Sequence, residues 1–354
     1  MSSNNSHRRR YLGVGLVVLA SLLLGPAARA AKLRVVATLP SYGSIAEAIA
    51  GERGEVRSLA RGYEDPHFVR PKPSLALIVG RADLLISTGL DLELWLPALL
   101  DKANNPRVRS GQPGFVAASH GIYLLEKPRV VSRSEGDVHV YGNPHVYIGP
   151  LNLKIIARNI MVGLKKVDPE HAATYEKNYE AFKAKLDRRL FGDELIKILG
   201  PTVLTKLTLA GKLVPFLEKR SFKGGKLIDR LGGWMKQGLP LRGRKIVAYH
   251  KNWAYFARTF GVEIVDYVEP KPGLPPTPSH VAHVIAEMRE KHVHVIMAAN
   301  YFDSGKVRSI AEKVGAQAVI LPLGVGGEPA AKDVFSQFDI IIRRLVEAFA
   351  GRGG

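Results

Sequence analysis

The chain has 354 residues, 46% of them hydrophobic, which is length and apolar content for two globular lobes. It contains no cysteine, which excludes a disulfide framework, a cysteine-based zinc centre and the lipid-modified cysteine that tethers some exported proteins. The formal charge is +19, but Lys and Arg are scattered among acids rather than gathered beside aromatics. That pattern argues against a nucleic-acid partner and for attraction to anionic membrane surfaces.

The N-terminus reads as an export signal. His7-Arg8-Arg9-Arg10 is a basic start, Tyr11 to Leu24 an apolar run, Gly25-Pro26 a break, and Ala28-Arg29-Ala30 the small-x-small pattern of a cleavage site. The run falls short of the roughly 20 apolar residues that span a membrane. Cleavage after Ala30 is expected to leave a soluble periplasmic chain of about 324 residues, carrying about +15 because the leader removes four arginines and no acid. Arg8 to Leu12 also resembles a twin-arginine signal, so the export route stays open.

From Lys32 onward, short β-rich runs alternate with amphipathic segments. Leu33–Thr38, Glu55–Leu59 and Ala82–Ser87 read as strands, and Tyr42–Ala50, Pro73–Arg81 and Leu92–Ala103 as helices. Asp168-Pro169-Glu170 is a strong helix start, with Asp at the N-cap and Pro in the first helical position. The helix from there to Leu190 has no Gly or Pro beyond its first turn and spans about 30 Å, a rigid strut between lobes. Gly192–Leu241 is less regular. Strands are then expected at Lys245–Tyr249, Glu263–Val268, Val293–Ala298 and Ala318–Leu323. Helices are expected at Asn252–Phe260, Ser279–Lys291 (capped by Ser279), Ser304–Val314 and Val334–Ala350. The alternation predicts an α/β fold with mainly parallel sheets, divided as lobe 31–167, linking helix 168–190 and lobe 191–354.

Three of the eleven histidines sit where strands or turns hand over to loops. His67 follows Glu64-Asp65-Pro66, and His145 follows Gly142-Asn143-Pro144; in each case proline stiffens the approach. His250 follows the strand Lys245–Tyr249 at its carboxyl edge, where open α/β sheets bind ligands. Imidazoles from distant, stiff loops suit a tetrahedral Zn²⁺. His139 is a candidate supporting partner of His145. His280 and His283, three apart on a helix, suggest surface or capping roles, and His292 and His294 packing. Asn300 to Asp303 suggests a cleft wall.

Glu-Asp-Pro-His67, Gly-Asn-Pro-His145, the Tyr-His250-x-x-Trp-x-Tyr-Phe segment and Leu321-Pro322-Leu323-Gly324 together resemble the metal-ion solute-binding proteins of ABC importers, the zinc and manganese group. The resemblance implies two α/β lobes joined by one long helix, with the metal in the cleft between them. It implies His67 and His145 as ligands from the first lobe and His250 from the second. It also implies delivery to a membrane permease by a monomeric carrier. An imidazole at 250, where manganese-selective members often place a carboxylate, favours Zn²⁺ over Mn²⁺. The family's usual Asp before the last helix aligns with Pro322. The fourth position is therefore open to Glu328, to Glu64 or Asp65, or to water. Gly192–Leu241 resembles an insertion seen in some members.

The competing class is a zinc hydrolase using three imidazoles and a bound water, with Glu64 or Asp65 as base. No helix carries the paired histidines at i and i+4 that such enzymes use.

Overall fold

The computed structural model describes residues 31–128, 139–271 and 273–351; the export signal read at 1–30 lies outside them. The first part runs β1 (Leu33–Ala37), α1 (Pro40–Ala50), β2 (Gly54–Ser58), α2 (Pro73–Gly80), β3 (Leu84–Ser87), α3 (Leu96–Ala103), β4 (Phe115–Ala117) and α4 (Leu153–Val167). The middle comprises α5 (Ala172–Phe191), α6 (Asp193–Leu199), α7 (Pro201–Leu209), α8 (Leu213–Lys219), β5 (Ser221–Phe222), β6 (Gly225–Lys226) and α9 (Gly233–Gln237). The last part runs β7 (Lys245–Ala248), α10 (Ala254–Phe260), β8 (Glu263–Tyr267), α11 (Pro278–Glu290), β9 (Val295–Ala299), α12 (Ser304–Lys313), β10 (Gln317–Leu321) and α13 (Val334–Ala350).

Two parallel sheets result, ordered β2-β1-β3-β4 and β10-β9-β7-β8. Read from the first strand of each, both have the same wiring: second, first, third, fourth. The inner strands explain why the sheets are parallel and covered on both faces. β3 (Leu-Leu-Ile-Ser) and β9 (Val-Ile-Met-Ala-Ala) are buried at every position, as continuous apolar runs require. One core extends from the first sheet through Tyr175, Phe182, Leu186 and Leu190 of α5 to Val334, Phe338 and Leu345 of α13. A second core fills the other face of the second sheet. Among the described residues no helix is long and apolar enough to cross a membrane.

Several local expectations change. α1 begins at Pro40, two residues early, because proline's fixed φ suits the first helical position. α3 begins at Leu96 rather than Leu92, since the Glu93 carboxylate turns back to accept from the Thr88 N–H at 3.0 Å and the Thr38 hydroxyl at 2.6 Å. α11 is capped by Thr277, whose Oγ1 accepts from His280 N at 3.2 Å, and not by Ser279. Asp168 precedes a short 3₁₀ turn, Pro169–His171, before α5 starts. Its carboxylate is used by Tyr175 and His171 rather than by backbone N–H groups. Gly192–Leu241 is largely helical: three helices of seven to nine residues, separated by Gly192, Gly200 and Gly211 at positive φ, are too short to show a periodic signal.

The lobes meet through backbone as well as side chains. Ser41 of α1 donates to Gln337 of α13 at 3.3 Å and accepts from Val325 N at 3.4 Å. The buried Gln337 amide in turn donates to the Pro322 and Leu323 carbonyls at 3.3 and 2.8 Å. Gly62, after β2, lies flush against the loop after β10. A methyl group added there would stand 2.1 Å from the Val325 carbonyl oxygen and 2.3 Å from Gly327 N. Neither neighbour is a flexible side-chain end. Gly62→Ala is therefore expected to destabilise the fold by about 1–3 kcal/mol, as overpacking does; urea unfolding monitored by circular dichroism measures it, and an unchanged midpoint would show that the lobes yield freely.

Candidate metal centre

The loop after β2 carries His67, and the indole N–H of Trp95 donates to the Pro66 carbonyl at 2.9 Å to hold it in place. His139 and His145 lie between β4 and α4, where the Gly142 N–H donates to the His139 carbonyl at 3.0 Å and closes a turn between them. His145 opens the 3₁₀ turn Val146–Ile148, braced by the Asn152 amide on the Val146 carbonyl at 2.9 Å. His250 stands two residues past β7, whose extension Tyr249 still donates to Met297 at 2.8 Å. Three imidazoles thus come from the first lobe and one from the second, and His67 and His250 both follow the carboxyl ends of their strands.

These four histidines converge. One ring nitrogen of each lies within 4.8 Å of the others. His67 stands at ring-centroid distances of 5.4 Å from His139, 5.1 Å from His145 and 5.3 Å from His250.

Three of the Nδ1 atoms are hydrogen-bonded to an oxygen and the fourth faces one. Asp65 Oδ1 accepts both the backbone N–H of His67 at 3.0 Å and its Nδ1–H at 2.7 Å. Asn143 Oδ1 does the same for His145, at 2.9 Å in both cases. The two Asx-Pro-His steps are therefore one local device used twice, a side-chain oxygen bonding backbone and ring two residues on. His250 Nδ1 is held by Glu269 Oε2, and His139 Nδ1 faces Asp91 Oδ1 at 3.3 Å. Such contacts fix the tautomer, leaving Nε2 with its lone pair.

Those Nε2 atoms fit a cation. His145 Nε2 and His250 Nε2 are buried without a hydrogen-bond partner, an arrangement that costs free energy unless something binds there. His67 Nε2 and His139 Nε2 stand 3.4 Å apart. That is the edge of a tetrahedron whose centre lies about 2.0–2.1 Å from each nitrogen, the zinc–imidazole distance. Burial is the main cause that pushes the His250 imidazole down to about 3, and the His67 ring adds to it. Burial likewise holds His145 well below the ordinary histidine range, with His67, His250 and His139 reinforcing it. Both rings are thus neutral at physiological pH, the form a metal requires.

Of the residues singled out from sequence, His67, His145 and His250 are brought together, and Glu328 is not. Its carboxylate is occupied by Arg344, through contacts of 2.8 and 2.9 Å, as the loop after β10 folds back on α13. Glu64 accepts from Arg61 N at 2.9 Å within its own turn, and Asp65 serves His67 from behind. Neither is placed as a general base. His139 instead joins the three, one of its ring nitrogens lying within 4.8 Å of theirs, level with them rather than behind one of them. Its signal was the six-residue spacing from His145 across a glycine turn. His280 bonds the Tyr267 carbonyl at 2.9 Å, and His283 is exposed on the same helix. Of the suggested cleft wall Phe302 stands 6.1 Å from the His250 ring, the Tyr301 hydroxyl accepts from the Asn252 amide at 3.2 Å, and Asp303 caps α12.

Comparison with known proteins places this arrangement. The profile of ZnuA, described as zinc-uptake complex component A, periplasmic, matches residues 35–189 and 223–348, passing over the stretch that holds α6 to α8. The iron-binding protein YfeA of Yersinia pestis is 25% identical over 296 residues, covering 82% of this chain and 77% of its own. The manganese ABC transporter substrate-binding lipoprotein scaA of Streptococcus gordonii is 29% identical over 177 residues, and this chain spans 54% of its length. A crystal structure of ZnuA superposes with a TM-score of 0.66 at 22% identity, covering 90% of this chain and 100% of that one. A Mn-bound periplasmic metal-binding protein of Candidatus Liberibacter asiaticus superposes at 0.64 with 19% identity and the same coverages. At these identities the two structures bear on the fold alone.

Acid should destabilise the metal-free protein. An unfolded imidazole takes up a proton near pH 6.5, whereas the buried rings resist protonation, His250 until about pH 3. The unfolded state therefore binds more protons below about 6.5, and stability present above that pH is lost as pH falls towards the folded values. Each such ring contributes a slope of about 1.4 kcal/mol per pH unit. Chemical denaturation of metal-free protein from pH 7 to 5 should show a shallower decline for His250→Gln; identical slopes would contradict the burial argument.

Proposed function

The chain belongs to the ZnuA family of periplasmic metal-binding proteins, the substrate-binding components of ABC importers, and we propose that its cargo is Zn²⁺, held by His67, His139, His145 and His250. Members are transport components rather than enzymes; they bind a metal ion and interact with a membrane permease, which removes the hydrolase alternative.

The observation that carries the zinc reading is the donor set. Four imidazole nitrogens gather, and among the described residues no carboxylate oxygen joins them. Manganese favours carboxylate, carbonyl and water oxygens, whereas imidazole suits zinc and tetrahedral nitrogen coordination is a zinc geometry. Relatives are named for iron and for manganese, so those ions are the competitors to be measured. The carrier is read as a monomer exported to the periplasm, with its leader removed after Ala30. Its lobes are read as 31–167 and 191–354, joined by 168–190.

Protein purified without chelator should carry one zinc per chain by mass spectrometry, and competition titration should favour Zn²⁺ over Mn²⁺. Alanine at His67, His139, His145 or His250 should each weaken zinc binding by more than the roughly 10- to 100-fold that loss of a supporting partner costs. Glu328→Gln should leave the affinity unaltered. A preference for Mn²⁺, or full affinity in His139→Ala, would overturn the proposed donor set.

A further inference from the structure

Behind the cluster lies a residue whose every polar group is used. Asn143 is buried, and its Oδ1 accepts from the backbone N–H and Nδ1 of His145. Its Nδ2 donates to the Lys251 carbonyl and to Glu126 Oε2, both at 2.7 Å. Its carbonyl accepts from the Tyr255 hydroxyl at 2.7 Å, and its N–H donates to the Leu125 carbonyl at 2.7 Å. Only one orientation of the amide satisfies this set, because the His145 backbone N–H can only donate and the Lys251 carbonyl can only accept.

The partners divide between lobes. His145, Leu125 and Glu126 belong to the first, whereas Lys251 follows His250 directly and Tyr255 sits in α10 of the second. Two further bonds run alongside: Leu125 N donates to the Tyr255 hydroxyl and the Tyr267 hydroxyl to Glu126 Oε1, both at 3.2 Å. Glu126 is held at φ +51°, a left-handed conformation that a non-glycine residue rarely adopts. Between its neighbours, that backbone presents one carboxylate to both Asn143 and Tyr267.

We infer that Asn143 is a positioning residue through which the second lobe fixes the His145 imidazole, so that release of the cation and parting of the lobes are one event. The inference rests on the zinc reading for its ligand but on the chain's own hydrogen bonds for its geometry. The other three rings are backed by carboxylates, Asp65, Asp91 and Glu269. If only local support of His145 mattered, a carboxylate at 143 would serve at least as well, since it makes the ring a stronger ligand. An aspartate keeps the acceptor but loses the donor. It then sets negative oxygens against the Lys251 carbonyl and the Glu126 carboxylate.

The test compares wild type with Asn143→Asp, Tyr255→Phe and the paired exchange Asn143→Asp with Glu126→Gln, in which the amide moves to the other partner. Asn143→Asp should lower zinc affinity roughly 10- to 100-fold, with correspondingly faster release to a chelator. Tyr255→Phe, away from the rings, should shift release in the same direction, and the paired exchange should recover most of the loss. Amide hydrogen exchange of the metal-free proteins supplies a second readout: residues 143–146 and 251–256 should lose protection together in Asn143→Asp and regain it in the pair. Zinc binding in Asn143→Asp as tight as wild type, with unaltered exchange, would overturn the inference and leave the zinc reading standing. Coupled loss of protection in a protein that binds no zinc would do the reverse.

Discussion

Four imidazoles with ring centres a little over 5 Å apart cannot all carry a proton, and the surrounding fold is arranged about that prohibition. At His145 and His250 burial removes the water that would stabilise imidazolium, and the neighbouring rings oppose their charging. An oxygen on Nδ1 then settles which nitrogen bears hydrogen. What remains is a set of lone pairs facing one another without donors, a poor arrangement by itself and a good one around a dication. The same two Asx-Pro-His turns that give the rings their orientation also place them on loops stiffened by proline, so little has to be ordered when an ion enters.

The charge balance is handled at one remove. Among the described residues no carboxylate stands between the converging nitrogens, yet Asp65, Asp91 and Glu269 lie directly behind three of them. An ion bound there is neutralised through the rings rather than by direct contact. This keeps the donor set soft enough for zinc while sparing the protein an unpaired dication in a low-dielectric pocket. The fourth ring is backed by an amide, which can donate elsewhere as no carboxylate could.

Much of this was legible in the chain. The seven expected strands and most of the expected helices are present, because continuous apolar runs such as Leu84–Ile86 and Val295–Ala299 have few other fates, whereas β4 to β6 were not anticipated. The three loop histidines were legible from their positions at strand ends and after Pro66 and Pro144. What periodicity missed was decided by side chains acting at a distance. Glu93 unwinds the start of α3 by turning back to Thr38, and Arg344 draws Glu328 away from the cleft. The promotion of His139 depends on a turn closed by the Gly142 N–H on the His139 carbonyl, at which its six-residue spacing from His145 hinted without fixing how the rings meet. The helices between Gly192 and Leu209 were lost for a different reason: segments of two turns bury too few positions to reveal a stripe.

The two sheets are wired alike, yet they contribute unequally, three nitrogens from one side of the cleft and a single one from the other. On the proposed donor set this asymmetry orders the handover. An arriving ion meets three imidazoles on one lobe, and the other lobe then brings His250 like a latch and, through Asn143, sets His145. In the opposite direction, a membrane partner that tilts the second lobe away severs the His250 bond and, through Asn143, loosens His145. The ion is then left with slackened support and vacant corners, open to the next ligand along its route.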